Sequence, residues 1–105
     1  MSRTLEYEQN TVTVNQVATG KRIQDKPEWN VTIANPQTCT LWAVKLSCPG
    51  FQTVEKVDPL ILSKSGDICT INNDLPIYGY TSINFTYAWD HIFPMKQVSS
   101  KVACS

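Results

Sequence analysis

The sequence predicts an all-β fold: an antiparallel β-sandwich of about seven or eight short strands, with one short helical turn near residues 58–64, stapled by disulfides. Three observations point there. Apolar and polar residues alternate at period two in several separate segments. Turn residues break the chain roughly every 8 to 12 positions. β-Branched and aromatic residues are plentiful, while long runs of Ala, Leu, Glu and Lys are absent. At 105 residues the chain reads as one domain, residues 1–105 with 1–10 a candidate flexible end, because either half alone is too small to bury a core.

The first alternation is Thr11-Val12-Thr13-Val14. The next sets Trp29, Val31 and Ile33 against Glu28, Asn30 and Thr32, so both read as half-buried strands. Between them, residues 18–27 are polar, carry Gly20 and end in Pro27, which reads as a connection or an irregular edge strand. A further strand places Trp42, Val44, Leu46 and Cys48 on a core face and Leu41, Ala43, Lys45 and Ser47 opposite, and Pro49-Gly50 ends it. Residues 51–57 carry a mixed alternation and read as another strand. Asp58 then Pro59 supply an N-cap and a first helical position, which predicts the helical turn over residues 58–64. Ser65-Gly66-Asp67 is a turn, residues 68–71 a short strand holding Cys69, and Asn72-Asn73-Asp74 a hairpin-type turn. The unbroken alternation of Ile83, Phe85, Tyr87 and Trp89 predicts a central strand. Phe93-Pro94 interrupts the chain, and residues 98–104 close the fold on a cysteine.

Charge and composition remove several function classes. Nine Lys and Arg balance nine Asp and Glu, so no basic field exists to hold nucleic acid or an anionic membrane. The longest apolar run, Leu60-Ile61-Leu62, is far short of the roughly 18 residues a membrane span needs, and no membrane insertion is expected. Cys39, Cys48, Cys69 and Cys104 fit two disulfides better than four idle thiols, and disulfides require an oxidising compartment. Residues 1–8 contain no apolar stretch, so the expectation is a secreted protein whose signal peptide is absent from this chain. Zinc is disfavoured: the spacings are eight, twenty and thirty-four intervening residues, with no C-x-x-C and a single histidine, His91.

Nothing in the sequence assembles a catalytic motif or a cofactor site. His91 sits in a loop beside Asp90 with no nucleophile motif around it. Glu55, Asp58, Asp67, Asp74 and Asp90 occupy turns, where local hydrogen bonding explains carboxylates better than a glycosidase pair does. The glycines are scattered singly, so no phosphate loop exists. Trp29, Trp42 and Trp89 lie in phase with core faces and read as packing residues before they read as a sugar platform. Tyr78 and Tyr80, in the turn Ile77-Tyr78-Gly79-Tyr80, are better candidates for an exposed contact. Two acceptor triplets for N-linked glycans, Asn30-Val31-Thr32 and Asn84-Phe85-Thr86, place each asparagine on the polar face of its strand.

The second half of the chain resembles the plant tapetum determinant family. The resemblance is carried by residues 44–55 (Val-Lys-Leu-Ser-Cys-Pro-Gly-Phe-Gln-Thr-Val-Glu), Val57-Asp58-Pro59, Ser65-Gly66-Asp67-Ile68-Cys69, Asn72-Asn73, Tyr87-Ala88-Trp89-Asp90 and the ending Ser99 to Ser105. Val14-Asn15-Gln16, Gly20 and residues 26–33 agree as well. The resemblance implies a small secreted cysteine-rich protein, and it implies the founding role of the family: a ligand for a leucine-rich-repeat receptor kinase that specifies tapetum fate in anthers. On that reading Glu55, Asp58, Pro59, Tyr78 and Tyr80 are the candidate partner contacts. A cell-wall carbohydrate-binding module is the alternative, and a hydrolase ranks last.

Members of that family usually carry six cysteines. Here the two additional positions fall on Tyr7 or Glu8 and on Asn35 or Gln37. Their joint loss implies that they are partners of each other, since losing one alone strands a reactive thiol. The loss of a third bridge implies a weaker hold on residues 1–25. The remaining four cysteines have three possible pairings, of which Cys48 with Cys69 and Cys39 with Cys104 is favoured.

Overall fold

The computed structural model describes residues 11–104. Seven strands run through them: β1 (Thr13–Ile23), β2 (Lys26–Ala34), β3 (Thr40–Ser47), β4 (Leu62–Ser65), β5 (Ile68–Ile71), β6 (Ser82–Ala88) and β7 (Lys96–Ala103). They form a three-stranded sheet of order β1-β2-β6 and a four-stranded sheet of order β4-β5-β3-β7, with every pairing antiparallel. The apolar inner faces meet: Val31 and Ile33 from β2, Phe85 and Tyr87 from β6, Leu41, Val44 and Leu46 from β3, and Cys69 and Ile71 from β5 form one buried cluster. Each full burial of a large aliphatic or aromatic side chain contributes about 1.5–3 kcal/mol against the chain entropy.

Residues 18–27 are the irregular edge strand of the sequence reading as far as Ile23, and then a tight hairpin. Gln24 and Asp25 both take positive φ, 48° and 69°, the two-residue turn whose twist suits antiparallel strands. The register shifts between Ala18 and Arg22, around Gly20 at φ 89°, a bulge of the kind glycine allows. β1 needs no covalent tether: it pairs along β2, and just ahead of it Val12 N donates to Gln97 Oε1 of β7 at 2.9 Å.

Other expectations are corrected. In β3 the core phase begins at Leu41 and not at Trp42. Ala43 takes φ 51° and the register with β7 shifts between Trp42 and Lys45, so Leu41 and Val44 are both buried while Trp42 is only half-buried. Residues 51–57 form no strand. The Thr53 hydroxyl donates to Glu55 O (2.9 Å) and accepts from Glu55 N (3.1 Å), closing a local turn that breaks the extended run. β6 is an edge strand and not a central one, and this turn straps its open edge, with Val54 N donating to Ala88 O (3.0 Å) and Ala88 N donating to Thr53 Oγ1 (3.0 Å). The Asp58 turn forms but ends at Ile61: Asp58 Oδ1 accepts from Leu60 N (2.9 Å) and its carbonyl accepts from Ile61 N and Leu62 N (2.9 and 3.1 Å). From Leu62 the chain is β4, because Leu62 pairs with Ile71 and reaches the core.

The expected hairpin turn at 72–74 is instead a 3₁₀ turn, Asn72–Asp74. Its residues take φ of 56°, 54° and 64°, a left-handed run that Asn and Asp tolerate better than other side chains. The closing strand starts at Lys96, two residues earlier than its alternation suggests.

The structure joins Cys39 to Cys104 and Cys48 to Cys69. The second bridge is fully buried between β5 and the end of β3, whereas Cys39 is partly exposed and Cys104 exposed. Beneath the strap, Phe51 packs edge-on against Tyr87 (5.1 Å between ring centres) and Phe93 (5.5 Å). The Tyr87 hydroxyl donates to Gln16 Oε1 (2.5 Å) and accepts from Phe93 N (3.1 Å), and Gln16 Nε2 returns to Phe93 O (2.8 Å). The ring of bonds is closed, and burial pushes the Tyr87 phenol upward from its ordinary range.

Candidate functional site

The candidate contacts fall into two places. Asp58, Pro59, Tyr78 and Tyr80 lie on a chain of hydrogen-bonded loops at one end of the sandwich. Asn72 N donates to Ile61 O (2.8 Å), Asn72 Nδ2 to Pro76 O (3.2 Å), and Tyr80 N to Asn35 O (2.9 Å), which links the 58–61, 72–76, 77–81 and 35–39 segments in turn. Four large side chains on these loops are left in solvent: Leu60 (61% exposed), Leu75 (56%), Tyr78 (62%) and Tyr80 (72%). Exposed apolar side chains grouped on neighbouring loops are what an interaction surface looks like. Asp58 is exposed as well, but its carboxylate already caps its own turn.

The residue that fixes this end is Asn35, buried and fully used. Its Nδ2 donates to Cys39 O (2.8 Å) and Ile77 O (2.9 Å), and its Oδ1 accepts from Gln37 N (3.3 Å). Its backbone adds Asn35 N to Thr81 O (2.9 Å). Of the positions where the resemblance suggests further cysteines, Tyr7 and Glu8 lie outside the described residues; of the other two, Asn35 ties two loops together through its amide, and Gln37 N donates to its Oδ1. Gly79 completes the seat, because a Cβ there would lie 2.5 Å from Thr38 O and 2.7 Å from Gln37 O. Tyr80 is held at φ 61°, a strained setting for a bulky side chain that persists only where the surroundings enforce it. Leu60, Leu75 and Gly79 were not singled out by the sequence, and Asn35 was named only as a position where the resemblance places a cysteine. The available signal was an apolar residue flanking a proline in a turn, Pro59-Leu60 and Leu75-Pro76, out of phase with any strand.

Glu55 sits elsewhere, over the outer face of the three-stranded sheet. Its Oε2 accepts from the Thr86 hydroxyl (2.9 Å), while Oε1 is buried with no donor aimed at it. Beside it lies Glu28 of β2, a buried carboxylate that accepts from the Thr19 hydroxyl (2.7 Å). Desolvation, and then hydrogen bonding to Glu28, push the Glu55 carboxyl above the usual range. The Thr19 hydroxyl, and then Glu55, pull Glu28 below it. The opposite directions favour Glu55 over Glu28 as the holder of a proton shared by the pair. Sequence reading placed Glu28 on the polar face of its strand but had no means of bringing residue 55 to it.

The remaining candidates are accounted for individually. His91 is exposed, its ring 4.7 Å from that of Phe93 and its Nδ1 3.1 Å from Ile92 O. Residues 51–57 with Leu62 and Lys64 line an open cleft of about 370 Å³, and Glu55 is its one carboxylate. A pocket joining His91 to two carboxylates is not assembled among the described residues. All three tryptophans are half-buried, and two are engaged: Trp29 Nε1 donates to Trp89 O (3.1 Å), and Lys26 Nζ lies 5.1 Å from the centre of the Trp89 ring. No group of metal-ligating side chains and no helix long and apolar enough to cross a membrane occurs among the described residues. Asn84 is exposed and Asn30 partly so, both on the outer face of the three-stranded sheet.

Residues 8–105 match the family model described as tapetum determinant 1, C-terminal. No curated protein and no solved structure matches the chain. The matched span takes in both disulfides, the Asp58-Pro59 turn and the loop end that displays Tyr78 and Tyr80. This chain belongs to the tapetum determinant family, a family of plant developmental signalling proteins.

Proposed function

We propose that the protein is a secreted ligand that docks the ectodomain of a leucine-rich-repeat receptor kinase, in the anther or in another cell-fate decision, through its loop end. Family membership supports a signalling role, and the two disulfides suit an extracellular setting. One observation carries the choice of surface: Tyr78 and Tyr80 are more than 60% exposed on a backbone locked by Asn35 and Gly79. Tyrosines presented rigidly are favoured binding anchors, because little side-chain freedom is lost when they are covered.

The test is calorimetric titration of the disulfide-bonded protein against a panel of leucine-rich-repeat ectodomains from reproductive tissue. Saturable binding to a member, weakened at least about tenfold in Y78A and Y80A as expected for hot-spot tyrosines, supports the reading. Absence of saturable binding across the panel removes it. The same two exposed tyrosines suit a sugar-stacking role, so cell-wall oligosaccharides titrated in parallel decide between ligand and carbohydrate-binding module.

A further inference from the structure

The two triplets Asn30-Val31-Thr32 and Asn84-Phe85-Thr86 take no part in the loop end, and the fold sets them against each other. β2 and β6 pair so that Asn30 lies opposite Thr86 and Thr32 opposite Asn84. Side chains alternate along a strand, and Val31 and Phe85 are buried, so all four polar residues share the outer face. The triplets interlock antiparallel, each asparagine facing the other's threonine. Asn84 Nδ2 donates to Thr32 Oγ1 at 2.6 Å and makes a longer contact of 3.4 Å to Val31 O.

We propose that the protein carries a single N-linked glycan, on Asn84, lying over the outer face of the β1-β2-β6 sheet and leaving Asn30 unmodified. This rests on the secretion reading above, since the oligosaccharide transferase and its lipid-linked diphosphate donor belong to the secretory route. In the transfer, Asn84 Nδ2 forms a bond to the anomeric carbon of the first sugar. The bond from that carbon to the diphosphate oxygen breaks, one amide proton is released, and the lipid diphosphate leaves.

Two features select Asn84, and a third argues against a glycan on both asparagines. The modified amide keeps one N–H, so the 2.6 Å bond to Thr32 survives and only the 3.4 Å contact is lost. Asn84 is on an edge strand and exposed, whereas Asn30 is on the central strand, flanked by Val17 and Thr86, and partly buried. The two asparagines are diagonal neighbours across a strand pair, a separation of about 7–8 Å. A sugar on one fills the space that a sugar on the other needs.

The experiment expresses the full chain behind a secretory leader in a eukaryotic host and reads occupancy on both the lumenal and the exported fractions. Peptide mapping follows enzymatic release, which converts a glycosylated asparagine to aspartate. Expected are one glycan per chain in intact mass, conversion at residue 84 alone, retention of the glycan in N30Q and its loss in N84Q and T86V. A glycan at Asn30, a two-glycan form, or disulfide-bonded lumenal protein carrying none would overturn the proposal. Failure of the secretion reading gives a different result: protein from its natural tissue with four reduced thiols, while the leader-fused chain is still modified at Asn84.

Discussion

Removing each disulfide separately should destabilise the protein by different routes, and the buried bridge should cost more although it closes the shorter loop. The cross-linked segments span 65 residues for Cys39–Cys104 and 21 for Cys48–Cys69. Restricting the unfolded chain is then worth about 4.3 kcal/mol for the long loop and about 3.3 kcal/mol for the short one. On that count alone C39S/C104S is the more damaging by about 1 kcal/mol. Burial reverses the order. Cys48 and Cys69 are both fully buried against Leu46 and Ile71, so C48A/C69A also removes two core sulfurs and leaves a cavity, adding about 2 kcal/mol at the small end of large-to-small core changes. Cys39 and Cys104 are at the solvent-exposed end of β3 and β7 and leave no cavity.

The expected totals are about 5 kcal/mol for C48A/C69A and about 4 kcal/mol for C39S/C104S, each a large fraction of the stability of a domain this size. Urea unfolding of the oxidised proteins, with midpoints and slopes compared, measures both. Amide exchange separates them further. C39S/C104S should expose Leu41, Ile77 and Tyr80 first, because the Cys39 carbonyl is one of the two groups that hold the Asn35 amide, while C48A/C69A should lower protection throughout the core. A larger loss for the exposed bridge, or no local loss of protection at Tyr80, would refute this account.

Three further outcomes are expected. Gly79→Ala forces a Cβ against two backbone carbonyls that cannot swing aside, so the urea midpoint should fall by an amount equivalent to about 1–3 kcal/mol; an unchanged midpoint would show that the 37–38 loop yields freely. Tyr80→Gly relieves a positive φ at a side chain with little packing to lose, so the thermal midpoint should hold or rise while receptor affinity drops at least about tenfold; parallel losses would mean that Tyr80 supports the fold. The carboxyl pair sets a pH dependence. Glu55, raised from 4.5, contributes stability that is whole below that value and is lost as pH rises through its raised pKa, and Glu28, lowered from 4.5, contributes stability that is lost as pH falls through its lowered one. Stability therefore peaks in mildly acidic solution, and Glu55→Gln, which keeps a donor for Glu28 at every pH, should flatten the decline toward neutrality. Thermal melts across that range in which the variant parallels the wild type would contradict it.

Period-two alternation located strands well where every residue stayed in the β region. Val31 and Ile33, and Phe85 and Tyr87, point inward as their spacing implies. It failed where one residue left that region. Ala43 at positive φ inverts the phase of β3, turning Leu41 inward and Trp42 aside, and no glycine marks the place. Gln24-Asp25 makes a tight turn without the usual Asn-Gly signature. Residues 51–57 alternate well enough for a strand, but a threonine hydroxyl folding back on its own backbone outcompeted the ladder. Whether a strand is central or at an edge depends on long-range pairing, so β6 was misplaced by the quality of its own pattern. At the candidate site, Tyr78 and Tyr80 were legible as aromatics in a turn. Asn35 and the Glu28–Glu55 pair were not, because their partners are brought to them by loops far along the chain.

The loop end owes its suitability for binding to the same buried groups that make it costly to build. A protein with no net charge gains no long-range steering toward a partner, so affinity has to come from contact made without much loss of freedom. Asn35 satisfies two carbonyls from different loops, Gly79 allows those loops to touch, and Cys39–Cys104 anchors the strand end beside them. The ordering of this backbone is thereby met during folding and not during association. Leu60, Leu75, Tyr78 and Tyr80 are what remains in solvent once that frame is closed. The outer face of the three-stranded sheet has a different character, small and polar around Asn84 with a carboxyl pair toward the strap, which suits a glycan better than a receptor. On the proposed reading, these two surfaces keep modification on one face of the sandwich apart from recognition at the other.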